Sequence, residues 1–395
     1  MSDAQREADL HHSSPITHHP LHLALVRQRY TDFGGAERFV ANAVEALRQE
    51  GAQLTLVTRQ WKQGGGGQAL ICDPFHIGSL WRDWSFARCV CNTLKKHSFD
   101  LVQSHERIAC CDIYRAGDGV HREWLKQRRR SMGLLGRIGI ALNPYHHYVM
   151  AAERSLFDSP RLKAVICNSR MVKDEIRRYF GTPENKLHVI YSGVDTAAFH
   201  PGLKTLHRES VRAQYMIPIE APLFLFVGSG FERKGVGTLL AAFARLPGAP
   251  YLMVVGKDKH QDQFQRMAIR MKIQDRIRFT GGQADTKPYY GAADAFVLPT
   301  RYDPFPNAAL EAFASGLPVI TSTKSGAAEL IENGKNGYVC DALDERCLAH
   351  AMAAALGPGQ AERQAAARAT VEALDIRATT PQLLQLYLEL AAPSG

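Results

Sequence analysis

Leu21-His22-Leu23-Ala24-Leu25-Val26 is a compact, mostly apolar run, and the order of the segments after it decides the fold class. The loop Arg29-Tyr30-Thr31-Asp32-Phe33-Gly34-Gly35 comes next, and then Ala36, Phe39, Val40, Ala43, Val44 and Leu47 recur at helical spacing. Gly51 stands where such a helix usually ends, and Gln53–Thr58 reads as a second strand. Strand, Gly-rich loop, helix and strand in that order mark a parallel α/β unit, because a parallel neighbour is reached only through a crossover.

The same grammar continues outward. Asp100–Ser104, Ile113–Arg115, Ala164–Asn168 and Leu187–Ser192 read as further strands, and Ser169 is placed to cap a helix running to about Tyr179. Residues 196–220 carry Pro201, Gly202 and Pro218, with Pro222 just beyond, and read as a linker. A second series then begins with a strand at Leu223–Val227, a helix from Gly235 to Leu246, a strand at Tyr251–Val255 and a helix near 260–272. It continues with strands at Arg276–Phe279 and Ala295–Leu298, a helix from Asn307 to Ala314 and a strand at Pro318–Thr321. The expected organisation is a disordered histidine-rich tail over 1–20, a Rossmann-like domain over 21–195 and the linker over 196–220. A second such domain fills 221–375, and a last helix within 376–395 is expected to cross back to the first domain. Two α/β halves on a short linker imply a cleft, and ligands of open parallel sheets sit beyond the carboxyl ends of the strands.

The chain's 395 residues are enough for two or three domains at roughly 100–200 residues each. Hydrophobic residues make up 45% and charged ones 22%, which places it among soluble globular proteins. No apolar run approaches the ~18 residues of a membrane span. The best candidate, Met132 to Leu142, is interrupted by Gly133, Gly136, Arg137 and Gly139. The start is acidic and polar, unlike a secretory signal, so a cytoplasmic protein is expected. Cys89-x-Cys91 and Cys110-Cys111 are neither zinc nor redox spacings, and Cys72, Cys167, Cys340 and Cys347 stand alone, so free thiols are expected.

The net charge of +9 is unevenly spread. Between His121 and Arg137, the cations Arg122, Lys126, Arg128, Arg129, Arg130 and Arg137 face one acid, Glu123, a local +5. Trp124, Leu125, Met132, Leu134 and Leu135 are interleaved with them. Cations beside apolar side chains suit an anionic lipid surface, at about 1 kcal/mol per Lys or Arg; a solvated helix face is the other reading. A nucleic-acid partner is not expected, since no recognition module surrounds the stretch.

Chemistry concentrates in Arg301-Tyr302-Asp303-Pro304-Phe305-Pro306-Asn307-Ala308-Ala309-Leu310-Glu311. One carboxylate, Asp303, falls on a loop after a strand and a second, Glu311, one turn inside the following helix. The amides of Asn307, Ala308, Ala309 and Leu310 open that helix and suit an anion such as a diphosphate. Glu311 is placed to accept from ribose hydroxyls, and Asp303 from those of a sugar.

Asp303-x7-Glu311 with Ala312-Phe313-Ala314-Ser315-Gly316-Leu317-Pro318-Val319-Ile320 resembles the Glu-x7-Glu segment of glycosyltransferase family 4. Other stretches match that family in order. They are Gly34-Gly35-Ala36-Glu37, Ser192-Gly193-Val194-Asp195, Phe226-Val227-Gly228 with Arg233-Lys234-Gly235, Ser325-Gly326-Ala327-Ala328-Glu329 and Gly334-Lys335-Asn336-Gly337. The resemblance covers roughly 21–375 and implies the GT-B fold of two facing Rossmann-like domains, with transfer that retains anomeric configuration. It implies Arg233 and Lys234 as diphosphate ligands replacing a metal, so no cofactor and no metal site are expected; no Asp-x-Asp pair is present. It also implies that Gly34 and Gly35 let backbone approach the donor, and that His105 touches the donor sugar. Glu106 and Asp118 are acceptor-site candidates. The first acid of the motif is Asp303 where the family usually has Glu, so its reach toward the sugar is one methylene shorter.

Ile113-Tyr114-Arg115-Ala116-Gly117-Asp118-Gly119-Val120-His121 is similar to the lipopolysaccharide core glucosyltransferases of the family. That implies UDP-glucose or a related donor, and a phosphorylated, lipid-anchored acceptor at the inner membrane face. Rival enzymes fit poorly. Gly228-Ser229-Gly230 is next followed by Gly235, which breaks Gly-x-Gly-x-x-Gly, and Val236 stands where a nucleoside-triphosphate loop needs Lys. A same-fold epimerase and a non-catalytic assembly protein remain as alternatives.

Overall fold

The computed structural model describes residues 21–29, 52–60 and 68–392. The expected tail over 1–20, the helix over 36–47, Gly34, Gly35 and the Gly64–Gly67 loop lie outside them.

Two parallel sheets organise the chain. The first holds β1 (His22–Val26), β2 (Gln53–Thr58), β3 (Gln68–Ile71), β4 (Leu101–Ser104), β5 (Ile113–Arg115), β6 (Ala164–Cys167) and β7 (Leu187–Val189), in the order β3-β2-β1-β4-β5-β6-β7. The second holds β8 (Leu223–Val227), β9 (Tyr251–Val255), β10 (Ile277–Gly281), β11 (Ala295–Leu298), β12 (Val319–Ser322) and β13 (Gly337–Cys340), in the order β10-β9-β8-β11-β12-β13. Both reverse strand order beside their first strand, which is where a doubly wound sheet opens a ligand crevice. In the first sheet that point lies between β1 and β4, and in the second between β8 and β11. Strands such as Leu223-Phe224-Leu225-Phe226-Val227 are apolar throughout because helices cover both faces of the sheet.

Among the described residues, the helices of the first half are α1 (Gly78–Leu94), α2 (His121–Arg129), α3 (Leu134–Leu142), α4 (Pro144–Phe157) and α5 (Arg170–Phe180). As expected, Ser169 caps α5, its Oγ accepting from the amide of Val172 at 3.2 Å. The segment read as a linker instead contains a twelve-residue helix, α6 (Leu203–Gln214). Leu203 and Val211 of α6 join the core of the second domain, and the buried Arg212 is held by Asp294 at 2.8 Å. The prolines and Gly202 that suggested a linker mark the two ends of that helix.

The second half adds α7 (Val236–Phe243), α8 (Gln261–Arg270), α9 (Lys287–Ala292), α10 (Asn307–Ala314), α11 (Glu345–Ala355), α12 (Gln360–Thr370) and α13 (Ile376–Ala391). Leu383, Leu386 and Tyr387 of α13 pack with Leu23, Leu25 and Leu101 of the first sheet, and the Tyr387 hydroxyl donates to Gln103 Oε1. The chain therefore passes between domains twice, near 193–196 and near 374–377, and the two passages are stitched together. Val194 N donates to Leu374 O at 2.9 Å and Ile376 N to Val194 O at 3.0 Å. The Thr196 hydroxyl also bonds Asp375. At Gly193 a Cβ would lie 2.5 Å from Ile376 Cα, so only glycine lets the passages touch.

The thiols depart from expectation at one pair: Cys91 of α1 and Cys110 of the β4–β5 loop form a disulfide, with Cα atoms 5.8 Å apart. Their nineteen-residue separation belongs to no motif, and it is the folding of α1 onto the sheet that joins them. Burial pushes the thiols of Cys72, Cys111 and Cys167 up to about 12, so these three stay protonated.

Candidate functional site

The loops leaving β8 and β11 meet at the switch point of the second sheet. Gly235 sits at φ 78, and a Cβ there would lie 2.0 Å from Pro299 O, so the two loops touch backbone to backbone. Arg301 N donates to Arg233 O at 2.8 Å, which fixes their register. Lys234 lies along Gly228, where a Cβ would be 2.6 Å from Lys234 Cδ, and its Nζ reaches Asp303 Oδ2 at 3.1 Å. Arg233 approaches the same carboxylate at 3.6 Å and donates to Tyr302 O at 3.0 Å. Arg233, Lys234 and Asp303 are thus one cluster carrying a single excess positive charge.

Helix α10 begins a few residues beyond, with Pro306 at its cap position and no side chain satisfying its first amides. Asn307, Ala308, Ala309 and Leu310 form its opening turn, where Ala309 N donates to Pro306 O at 3.0 Å and the helix dipole favours an anion. Glu311 lies one turn in, where the hydroxyl of buried Tyr290 donates to Glu311 Oε2 at 2.9 Å. Burial first, and then Glu311, hold that phenol well above 10, so it remains a fixed donor. Asn307 Oδ1 and Ser325 Oγ are buried without a hydrogen-bond partner, an exception that commonly marks a place for a ligand or water.

Across the boundary, His105 and Glu106 follow β4, at the switch point of the first sheet. His105 Nδ1 is 3.3 Å from Arg27 and its Nε2 is 3.2 Å from Gln103 Nε2. Burial, with Arg115 and Arg27 nearby, keeps the ring well below 6.5 and therefore neutral at physiological pH. Glu106 accepts from Gln28 N at 3.0 Å, and burial raises its carboxyl. Asp118 is exposed and stands 3.5 Å from Arg107.

The basic segment divides between two roles. Leu125 is buried and Trp124 half-buried, so the apolar residues of α2 face inward, contrary to the exposed pattern expected from the sequence. The exposed apolar face belongs to α3, where Leu134, Leu135 and Leu142 are 74%, 85% and 75% exposed. Arg130 reaches across to Asp341 with two 2.9 Å bonds, and Arg122 stacks 5.3 Å over the Tyr179 ring. Lys126 and Arg129 are exposed, and Arg128 is half-buried.

Sequence reading missed a second cluster at the boundary. Lys324 Nζ donates to Glu175 Oε1 at 2.9 Å and pairs with Glu123 Oε1 at 3.1 Å. Tyr179 and Gln127 donate to Glu123, each at 2.7 Å. Burial alone would raise Glu123, but these donors outweigh it and hold the carboxyl at about 2. Glu329 closes the boundary nearby, accepting from the amides of Arg170 and Met171 at the start of α5. The one available signal was Glu123, a lone acid among six cations. Among the described residues no group of three or more His, Cys, Asp and Glu is arranged for a metal, and no helix is long and apolar enough to cross a membrane.

Known proteins place this geometry. The family model for glycosyltransferase family 4 matches residues 33–198, and that for glycosyl transferases group 1 matches 207–371. The lipopolysaccharide core biosynthesis glycosyltransferase LpsE of Rhizobium meliloti is 26% identical over 81% of this chain and 84% of its own. The lipopolysaccharide glucosyltransferase WaaG of Escherichia coli is 27% identical over 80% and 84%. A crystal structure of WaaG superposes with a TM-score of 0.79 at 23% identity, covering 92% of this chain and 99% of that one. HepE of Anabaena in complex with UDP-glucose superposes at 0.71 and 18% identity, covering 93% and 100%. With two matching modules joined end to end across 33–371 and two Rossmann-like domains folded in their order, the chain is a GT-B glycosyltransferase and belongs to family 4.

Proposed function

We propose that the protein moves a hexose, with retention of configuration and without a metal, from UDP-glucose or a similar donor to a lipid-linked, phosphorylated glycan of the lipopolysaccharide core. The observation that carries this reading is the convergence of Arg233 and Lys234 on Asp303, directly ahead of the open start of α10. Two cations and a helix's first amides together suit a diphosphate, and they favour the leaving group most strongly as its negative charge grows. In this reading Asp303 accepts from sugar hydroxyls, Glu311 from the ribose, and neutral His105 contacts the sugar from the first domain. The acceptor hydroxyl attacks on the face the nucleotide leaves and passes its proton to a phosphate oxygen, so no protein base is required. Glu106 and Asp118 are the acceptor-side candidates.

The names of LpsE and WaaG support a lipopolysaccharide acceptor, and the UDP-glucose complex of HepE supports the donor. The apolar face of α3, which follows the basic α2 in sequence, supports attachment to the anionic inner face of the cytoplasmic membrane. Against a cytoplasmic placement stands the Cys91–Cys110 disulfide, a bond uncommon in reducing compartments.

The test is a panel of UDP-, ADP- and GDP-sugars read by thermal shift, followed by transfer assays and the anomeric configuration of the product by NMR. UDP-glucose is expected to give the largest shift, because a ligand held only by the folded state raises its stability by mass action. An inverted product, or shifts that do not distinguish the sugars, overturns the mechanism or the donor. Equal binding to anionic and neutral vesicles at low salt removes the membrane.

A further inference from the structure

Tyr302 precedes Asp303 in the loop after β11, yet its side chain leaves the domain that makes it. It is 2% exposed, and its hydroxyl lies between two groups of the first domain. Val120 N, at the start of α2, donates to Tyr302 Oη at 2.8 Å, and Oη donates to Glu175 Oε2 of α5 at 2.7 Å. The seat is shaped for the phenol. Gly119 has φ 67, and a Cβ on it would lie 2.1 Å from Tyr302 Oη. Burial first, and then Glu175, push the phenol well above 10, so it holds its proton and donates throughout the working range.

The backbone of the same residue is tied to the candidate diphosphate cations. Tyr302 O accepts from Arg233, Asp303 accepts from Lys234, and Asp303 N donates to Lys324 O at 3.0 Å. Lys324 in turn bridges Glu175 and Glu123 on the first domain. The loop at 302–303 is therefore fastened from both sides of the boundary. When the domains part, the Tyr302 hydroxyl loses both partners, and the backbone carbonyl that orients Arg233 loses its fixed position.

We infer that Tyr302 is a positioning residue for transfer: its hydroxyl, seated on Gly119–Val120 and Glu175, holds Asp303 and Arg233 in register only while the two domains are closed. This rests on the roles proposed above for Arg233, Lys234 and Asp303. UDP binding, in this reading, draws on groups of the second domain, so it persists when the seat is lost. Turnover needs the closed register, because small misplacements of reacting groups cost rate steeply.

The experiment compares Tyr302→Phe, Glu175→Gln and the double variant in steady-state transfer, with UDP thermal shifts as a separate measure of binding. Tyr302→Phe is expected to lower kcat by roughly 10- to 100-fold, with donor KM within about threefold and the UDP-induced shift unchanged. Because the Tyr302–Glu175 contact is common to both, while Tyr302→Phe also loses Val120 N and Glu175→Gln the charge facing Lys324, the combined loss is expected to fall short of the product of the two single losses. A Tyr302→Phe kcat within about twofold of the parent overturns the inference, as do losses that multiply in the double variant, and so does a matching loss of UDP binding. Failure of the underlying site assignment reads differently: the variant Arg233→Ala/Lys234→Ala would then keep its turnover.

Discussion

Two carboxylate–cation clusters stand at the domain boundary, and they are built for opposite purposes. Asp303 with Arg233 and Lys234 lies within one domain, has two cations for one anion, and leaves Arg233 39% exposed. Glu123 and Glu175 share Lys324 across the two domains, Lys126 approaches Glu123 at 3.8 Å to balance the charge, and hydroxyl or amide donors fill the remaining contacts. The first has positive charge left over and an open side, which is what an anionic ligand requires. The second is internally satisfied and nearly dry, which suits holding surfaces together. The electrostatic difference lies in stoichiometry and access rather than in residue type.

The comparison breaks most decisively at the open cluster. Arg233→Ala/Lys234→Ala is expected to lower kcat by on the order of 10⁴-fold, since each preorganised charged donor contributes about 10²- to 10³-fold. Arg233, 39% exposed, stabilises little. Lys234 is 12% exposed, however, and the double change strips the buried Asp303 of both cations, so a lower melting temperature is expected as well and turnover is compared below it. Near-normal turnover in the folded double variant would remove the catalytic assignment.

At the closed cluster the ranking of effects inverts. Lys324→Met leaves Glu175 without a cation and Glu123 with Lys126 alone, at an expected cost of about 3–5 kcal/mol in chemical denaturation. A change below about 1 kcal/mol would show that the cluster is hydrated in solution and does not hold the domains.

A smaller effect sharpens the contrast through pH. Glu123 titrates at about 2 in the folded protein, below its ordinary 4.5. Its stabilising contribution is therefore complete above about pH 5 and is lost as pH falls toward 2, on the order of 3 kcal/mol in all. Glu175 is raised, by burial first, and acts in the opposite sense. Glu123→Gln is expected to flatten the fall in stability across that window, measured by urea titration at successive pH values. An unchanged slope would mean that other carboxylates set the acid limit.

How much of this was legible depended on whether cause and effect are close in sequence. Strands such as Leu223–Val227 and Ala295–Leu298 declare themselves because a doubly covered strand is apolar at every position. The Asp303-x7-Glu311 spacing is equally local, so the loop and the start of α10 were readable together. Helix α6 was not, because its buried positions, Leu203, Val211 and Arg212, form a narrow stripe on an otherwise polar segment between prolines. Tyr302 was named only as part of a motif, since its partners Val120 and Glu175 lie 182 and 127 residues away. Basic residues were visible, but whether Arg130 faces a lipid or Asp341 is a tertiary fact.

The paired passages at 193–196 and 374–377 impose a rule on motion. Two strands crossing a gap at separate places would let the halves slide or shear; two strands bonded to each other at one place leave an axle. The halves can swing about Val194 and Asp375, and displacement grows with distance from that pivot. A reporter pair spanning Arg130 and Asp341 should therefore record domain swing with larger amplitude than one placed near Gly193.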